Sequence, residues 1–176
     1  MSFQVALGLE ANCLTGYLKN ISRNVAEKFL LTIKENDMSA YDSNNIFAKI
    51  LRGEIPNHTV YEDEKVLAFL DVMPQARGHV LIVPKTQSVE LSDLPPEYAQ
   101  AVFAAAKKII AAQRQVLQRH GIVQMQLNGG GAGQSVFHYH MHLIPGHVHE
   151  LARHEDKMAD HAELAALAAK LREAIA

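Results

Sequence analysis

Three histidines alternate with apolar residues in one short stretch of the chain. His138, His140 and His142 are separated by Tyr139 and Met141. Successive side chains of a strand point to opposite faces, so a strand here places all three imidazoles on one face. Each ring carries two nitrogens that need hydrogen-bond partners, which makes three adjacent rings an unfavourable way to build a core. The pattern therefore predicts a functional site on this face.

A glycine-rich segment, residues 128–135, leads directly into the histidine stretch. It has few side chains, so its backbone N–H groups are able to approach a ligand closely, and such nests bind anions. The alternative is that the glycines only form the turn of a hairpin. No Gly-Lys-Ser/Thr follows, so the segment is not a P-loop. Its position beside the histidines favours anion binding.

Neutral imidazoles placed side by side suit two chemistries. Alternate histidines on a strand could share one metal ion. In the other chemistry, one imidazole attacks phosphorus while its neighbours stabilise the phosphate oxygens and protonate the leaving group. A purely structural role is the third interpretation. The glycine-rich segment favours phosphorus, because charge developing on phosphate oxygens needs N–H donors and a metal site does not.

The composition indicates one soluble domain. The chain has 176 residues, 48% of them hydrophobic, which is enough for a sizeable core. Its net charge of −2 implies no general attraction to nucleic acids or membrane surfaces. Cys13 is the single cysteine, which fits a reducing compartment. No apolar run approaches the roughly 18 residues of a spanning helix, so we expect a cytoplasmic protein without membrane or nucleic-acid partners.

The segments that must position the histidines include several strand patterns. Short runs of β-branched and apolar residues are bounded by turn residues, which is typical of antiparallel strands. No repeat or low-complexity linker separates them, so we expect an α+β domain with helices packed on one sheet of about five strands. The predicted strands cover 59–62, 66–71, 79–83, 122–127 and 136–144.

Three helices are predicted among these strands. Ser43 is the expected N-cap of a short helix over 46–51. Asp93 is expected to start one long, alanine-rich helix, which Gly121 ends. A last helix is expected over 160–174.

The chain is predicted to have three parts. Apolar residues recur at steps of three to four within residues 1–40, which predicts a helical or loosely attached N-terminal extension. Residues 41–150 form the domain that carries the histidines. Residues 151–176 form a C-terminal tail and helix.

The histidine stretch resembles a known family motif. Residues 133–145 read Gly-Gln-Ser-Val-Phe-His-Tyr-His-Met-His-Leu-Ile-Pro. This resembles the histidine triad (HIT) motif, His-x-His-x-His with its Gly-Gln-Ser/Thr lead. Further blocks resemble the Hint branch, the purine nucleoside phosphoramidases: Asn-Ile-Phe-Ala-Lys-Ile at 45–50, Ala-Phe-Leu-Asp-Val at 68–72 and Val-Pro-Lys at 83–85. The similarity covers about residues 43–145 and implies a HIT-like fold.

The resemblance implies catalytic roles for matching positions. His140 would be the nucleophile that attacks the α-phosphate of a purine nucleotide, and His142 would contact the phosphate oxygens. His138 would orient the nucleophile. Ser135 and Gln134 would serve the scissile phosphate and the leaving group. The loop is about one residue shorter than in the animal Hint enzymes, and their C-terminal tryptophan is missing, so the leaving-group preference need not match theirs.

The resemblance also implies a nucleotide pocket. Asp71 would bind both ribose hydroxyls, while Asn128 and Gly133 would lie beside the phosphates. Without the family, Asp71 reads as a turn residue and the apolar positions read as core. The apolar slot for the purine would consist of Ile46, Phe47, Ile50, Phe69 and Val72.

The implied function is a purine nucleotide hydrolase or transferase that cleaves a P–N or P–O bond at the α-phosphate. It would proceed through a transient nucleotidyl-histidine, without a metal or other cofactor, in a homodimer. The alternatives are a diadenosine polyphosphate hydrolase, a nucleotide-binding regulator with little catalysis, and a metal-binding protein. The block at 45–50 favours the Hint branch among the enzymes.

Overall fold

The structure is a computed structural model that describes residues 41–151 and 158–175, and it confirms the α+β fold class. The helix predicted before residue 40 lies outside the described residues. None of the described helices is long and apolar enough to cross a membrane. The helices are α1 (Ile46–Leu51), α2 (Pro96–Leu117) and α3 (His161–Ile175), and the strands are β1 (Thr59–Glu62), β2 (Val66–Leu70), β3 (Val80–Pro84), β4 (Ile122–Met125) and β5 (Met141–Pro145).

The five strands form one antiparallel sheet with the order β1-β2-β3-β5-β4. The chain leaves β3, runs through α2 and β4, and then inserts β5 between β3 and β4. His142 on β5 therefore pairs with Leu81 of β3 on one side and with Met125 of β4 on the other. This topology places the end of the histidine stretch inside the sheet.

The two faces of the sheet bury different apolar sets. Tyr139, Met141 and Leu143 belong to the main core, which α2 and α3 cover. A smaller cluster on the other face contains Phe47 of α1 and Phe69 of β2. Each fully buried large apolar side chain stabilises the fold by about 1.5–3 kcal/mol. The residues that alternate with the three histidines thus enter the main core, while the histidines face the other side of the sheet.

Helix α3 packs on the same core as the sheet. Its Leu164, Leu167 and Leu171 are buried. The Arg172 guanidinium donates a hydrogen bond to the backbone carbonyl of Thr59, at the start of β1. The region assigned to a C-terminal tail therefore contributes part of the core that supports β1.

The predicted cap of α1 is wrong by two residues. Asn45, not Ser43, is the N-cap, and its side chain accepts a hydrogen bond from the N–H of Ala48 at 2.9 Å. An N-cap oxygen must reach the N–H of the second or third helical residue, and Ser43 lies too far upstream of Ile46. Asn45 therefore satisfies one of the free N–H groups at the start of this helix.

Both predicted ends of the long helix are also wrong. Asp93 lies in a short 3-10 turn, where its carboxylate accepts hydrogen bonds from the N–H groups of Val89 and Glu90 at 2.8 Å each. Helix α2 begins only at Pro96. It ends at Leu117, because Gln118 takes the left-handed conformation, with φ of 53°, that was expected of a glycine.

The histidine strand is shorter than predicted, since β5 begins at Met141 rather than at residue 136. The N–H of Tyr139 donates to the carbonyl of Ser88 at 2.7 Å, and a ring nitrogen of His138 lies 3.0 Å from the carbonyl oxygen of Pro84. These contacts join residues 138 and 139 to the segment at and after the end of β3 instead of to a neighbouring strand. Only His142 of the three histidines lies in a regular strand.

Candidate active site

The three predicted histidines come together on the face of the sheet that carries α1. His138, His140 and His142 are 0%, 6% and 5% exposed. The ring centroids of His140 and His142 are 4.9 Å apart, and the Phe47 ring lies 5.0 Å from that of His140. Strand β5 together with the irregular segment before it therefore builds one row of imidazoles.

His138 is held as a neutral ring. Its Nε2 lies 3.0 Å from the carbonyl oxygen of Pro84, and its Nδ1 lies 2.8 Å from the hydroxyl of Tyr41. A carbonyl oxygen only accepts, so Nε2 carries the proton and Nδ1 accepts from the tyrosine. Burial lowers the pKa of His138 to about 4. Tyr41, which the sequence did not single out, thus fixes the outermost histidine.

His140 has the protonation pattern of a nucleophile. Its Nδ1 lies 2.7 Å from the backbone carbonyl oxygen of His138. Since that carbonyl can only accept, the proton of neutral His140 is on Nδ1 and the lone pair is on Nε2. An imidazole held in this tautomer is ready to attack an electrophile through Nε2.

A fourth histidine, His79, belongs to the site and was missed as a site residue. It is fully buried, and its Nε2 lies 2.9 Å from Nδ1 of His142. Its Nδ1 lies 3.3 Å from the Asp71 carboxylate and also accepts from the N–H of Gln75 at 3.3 Å. A chain of ionisable groups therefore runs from Asp71 through His79 to His142.

Asp71 lies immediately after β2, where two contacts hold it. Its Oδ1 accepts from the N–H of Met73 at 2.8 Å, and its own N–H donates to the carbonyl of His79 at 2.9 Å. The residue is 8% exposed. The predicted ribose ligand is therefore a fixed carboxylate in contact with the histidine chain.

Gln134 closes the glycine-rich segment on itself. Its Oε1 accepts from the N–H of Gly129 at 2.8 Å, and its Nε2 donates to the carbonyls of Val89 and Val136 at 2.7 and 3.1 Å. The side chain is buried. All three contacts go to backbone groups, so the Gln134 amide fixes the conformation of the loop. Its predicted role at the phosphate would therefore be indirect, through the loop that it holds.

Asn128 and Ser135 bracket the same loop at the surface. Asn128 Oδ1 accepts from the N–H of Leu91 at 2.9 Å and from Nε2 of Gln126 at 3.1 Å. These contacts fix the oxygen end of the Asn128 amide toward Leu91 and Gln126. Ser135 is exposed, and Gly133 before it has φ of 95°, a conformation that favours glycine.

Most of the predicted apolar slot is assembled. The rings of Phe47 and Phe69 meet edge to face with centroids 5.9 Å apart, and Ile50 packs in the same cluster. Ile46, on the first turn of α1, is 48% exposed. Val72 packs against the main core instead, so the cluster contains Phe47, Ile50 and Phe69 but neither Ile46 nor Val72.

Comparisons with known proteins place this geometry among its relatives. The HIT domain family matches residues 52–149, more than half of the chain. The adenosine 5′-monophosphoramidase of Saccharomyces cerevisiae is 36% identical over 121 residues, which are 69% of this chain and 74% of the yeast protein.

Two crystal structures also resemble the fold. One is a Hit-like protein from Bartonella henselae involved in cell-cycle regulation, with an unknown ligand: TM-score 0.68 and 44% identity, covering 77% of this chain and 99% of that one.

The second structure is a zinc-bound histidine triad family protein from Mycobacterium smegmatis, with a TM-score of 0.66 and 34% identity over 75% of this chain and 93% of that one. Within residues 41–151 and 158–175, no group of three or more His, Cys, Asp or Glu side chains is arranged to hold a metal ion. The described rings of the histidine row instead make hydrogen bonds to protein groups.

Proposed function

Because the chain belongs to the HIT domain family, we propose that it is a nucleotide-binding hydrolase whose nucleophile is His140. Its substrate class would be purine nucleoside 5′-phosphoramidates, cleaved at the P–N bond of the α-phosphate. The observation that carries the proposal is the contact of His140 Nδ1 with the His138 carbonyl, which leaves the lone pair on Nε2. The similarity to the yeast adenosine 5′-monophosphoramidase supports this substrate class.

The first step forms a nucleotidyl-histidine. Nε2 of His140 attacks the α-phosphorus, a new N–P bond forms, and the P–N bond to the leaving amine breaks. The amine needs a proton, which His142 donates from Nε2. His142 holds that proton when the Nε2–H of His79 donates to its Nδ1, an arrangement the 2.9 Å contact allows.

The second step releases the nucleotide. Water attacks the phosphorus of the nucleotidyl-His140, the N–P bond breaks, and one water proton passes to His142. The products are the nucleoside monophosphate and the free enzyme. The pair of His79 and His142 starts with one proton more than two neutral rings hold, and in that state Nδ1 of His79 is protonated and donates to the Asp71 carboxylate 3.3 Å away, which stabilises the positive charge. When His142 donates to the amine, the proton between the rings moves from Nε2 of His79 to Nδ1 of His142 and both rings become neutral. The proton taken from water restores the starting charge.

The remaining residues bind and orient the nucleotide. We assign the apolar slot of Phe47, Phe69 and Ile50 to the purine and the Asp71 carboxylate to the ribose hydroxyls. Asn128, Gly133 and Ser135 would contact the phosphate and the leaving group, with Gln134 holding the loop in shape. Positioning of this kind accounts for a large part of catalysis when the reacting atoms are held in contact. A homodimer remains an expectation from the family.

The first test is single-turnover hydrolysis of an adenosine phosphoramidate by the wild type and by His140→Ala. Loss of the nucleophile should lower the rate by at least about 1,000-fold, because no other group forms the covalent intermediate. Mass spectrometry of the quenched wild-type reaction should show an adenylylated protein that the variant lacks. Undiminished turnover by His140→Ala would refute the assignment.

Two further substrates separate the rival functions. A diadenosine polyphosphate hydrolase would cleave the dinucleotide in preference to the phosphoramidate. A nucleotide-binding regulator would bind adenosine monophosphate and cleave neither compound. Running all reactions with and without a chelator tests whether a metal takes part.

A further inference from the structure

Gln113 is a buried polar residue on the far side of the sheet from the histidines. It lies on α2, and its side chain is fully buried. Its Nε2 donates to the carbonyl oxygens of Gly78 at 2.8 Å and of Leu143 at 3.1 Å. Carbonyl oxygens only accept, so these two contacts fix which end of the amide faces the sheet.

The two acceptors flank the histidine pair of the site. Gly78 directly precedes His79, and Leu143 directly follows His142. The β3–β5 pairing ends at the pair of Val80 with Leu143. Gln113 thus connects the segment before β3 with β5 at the end of their pairing. The residues next to its two acceptors are His79 and His142, whose ring nitrogens lie 2.9 Å apart.

Packing alone does not explain a glutamine at this position. Its Oε1 is buried and has no hydrogen-bond partner among the described residues. An unbranched apolar side chain of similar length would fill the space without burying an unpaired oxygen. The amide is therefore best explained by what its nitrogen binds.

The loop before His79 is also pressed against α2. Gly78 has φ of 89°, and a Cβ added to it would come within 2.5 Å of a methyl carbon of Leu117. Helix α2 thus contacts the residue before His79 in two ways, through the Leu117 side chain and through the Gln113 amide. The position of His79 depends on this helix.

We propose that Gln113 is a positioning residue for the proposed reaction: through the carbonyls of Gly78 and Leu143, it sets the spacing of His79 and His142. It touches no reacting atom. Its bonds hold the two peptide segments at the distance at which Nε2 of one ring meets Nδ1 of the other. The proposal rests on the proposed function for its effect on rate, although its effect on ring geometry does not.

The test compares Gln113→Met with a control in the same helix. Methionine keeps the length and most of the volume of glutamine but has no N–H donor. Ile109→Val, one turn earlier and equally buried, removes one methylene group and changes no side-chain hydrogen bond, because neither side chain has a polar atom. The measurements are kcat and KM, thermal unfolding, and the NMR signals of the imidazole nitrogens at 79 and 142.

For Gln113→Met we expect kcat to fall about 10- to 100-fold with little change in KM, because the rings are misplaced while nucleotide contacts remain. Its imidazole signals should move, and its thermal stability should stay near that of the wild type. Ile109→Val should keep the wild-type signals and kcat. Unmoved signals, or equal losses of activity in the two variants, would overturn the proposal. If the wild type shows no turnover, the proposed function fails, and the imidazole signals alone decide the role of Gln113.

Discussion

Two histidine pairs in this molecule have almost the same geometry and very different surroundings. In the pair His79 and His142, Nε2 lies 2.9 Å from Nδ1, with ring centroids 5.1 Å apart and planes tilted by 34°. In the pair His58 and His161, the same atoms are also 2.9 Å apart, with centroids 5.2 Å apart and a tilt of 39°.

Their surroundings set their roles. The first pair is buried and contacts the Asp71 carboxylate, so its hydrogen bond lies in a low-dielectric interior. The second pair lies near the surface, between the segment before β1 and the first residue of α3. Burial and the neighbouring His161 ring both lower the pKa of His58. The buried pair has the surroundings of a proton path, whereas the surface pair joins the start of α3 to the segment before β1.

The largest contrast is expected in turnover. His142→Ala removes the proposed proton donor of the buried pair and should lower the single-turnover rate by about 100- to 10,000-fold. His161→Ala removes the equivalent ring of the surface pair and should leave the rate within about twofold, because it lies outside the site. Hydrolysis of an adenosine phosphoramidate measures both. Equal losses in the two variants would end the distinction between the pairs.

A smaller contrast concerns the pH dependence of stability. The pKa of buried His138 is about 4 in the folded state, against about 6.5 in the unfolded chain. As the pH falls, the unfolded state therefore binds a proton at this residue before the folded state does. The contribution of His138 to the free energy of unfolding is present above pH 6.5, and about 3 kcal/mol of it is lost as the pH drops to 4.

Urea unfolding at several pH values measures this loss. In His138→Gln the drop between pH 6.5 and 4 should be smaller by about 3 kcal/mol, since this titration is gone. His161→Ala should keep the full His138 contribution, so its drop should differ from that of the wild type only by the smaller contribution of the surface pair. An unchanged drop in His138→Gln would contradict the role assigned to its burial.

The smallest effect is expected at the surface pair itself. His161→Ala should change the free energy of unfolding at pH 7 by no more than about 0.5 kcal/mol, as is usual for exposed residues. Below pH 6 it should make the stability less sensitive to pH, because the lowered pKa of His58 is partly due to His161. A loss above about 2 kcal/mol at pH 7 would mean that the surface contact supports the fold and is more than an exposed polar contact.

The features readable from the sequence were those with a local signal. Alternation of apolar and polar residues predicted the histidine row, and short apolar runs bounded by turn residues predicted the five strands, because both signals are properties of neighbouring residues. Ends of elements were less predictable. Asn45 displaced Ser43 as a cap, and Gln118 adopted a left-handed conformation without being glycine. Ser43 and Asn45 are both suited to capping, and the residues directly after Leu117 carry no local signal for the exact end of a helix.

Residues missed within the site have partners far along the chain. His79 meets His142 across 63 positions, and Gln113 reaches Gly78 and Leu143 across 35 and 30. Local patterns carry no information on such contacts. A histidine opening an otherwise apolar strand was the available signal for His79, and a polar residue on the apolar side of a long helix was the signal for Gln113.

The bond between Arg172 and the Thr59 carbonyl has a consequence for biosynthesis. It spans 113 positions, and a further bond joins the N–H of Ala159 to the carbonyl of Val72, directly after Asp71. Ribosomes add about 5–20 residues per second. Several seconds therefore pass between synthesis of the turn that carries Asp71 and synthesis of the residue that bonds it. An arrested chain that lacks α3 would contain all three histidines of the row but lack the part of the main core that α3 supplies.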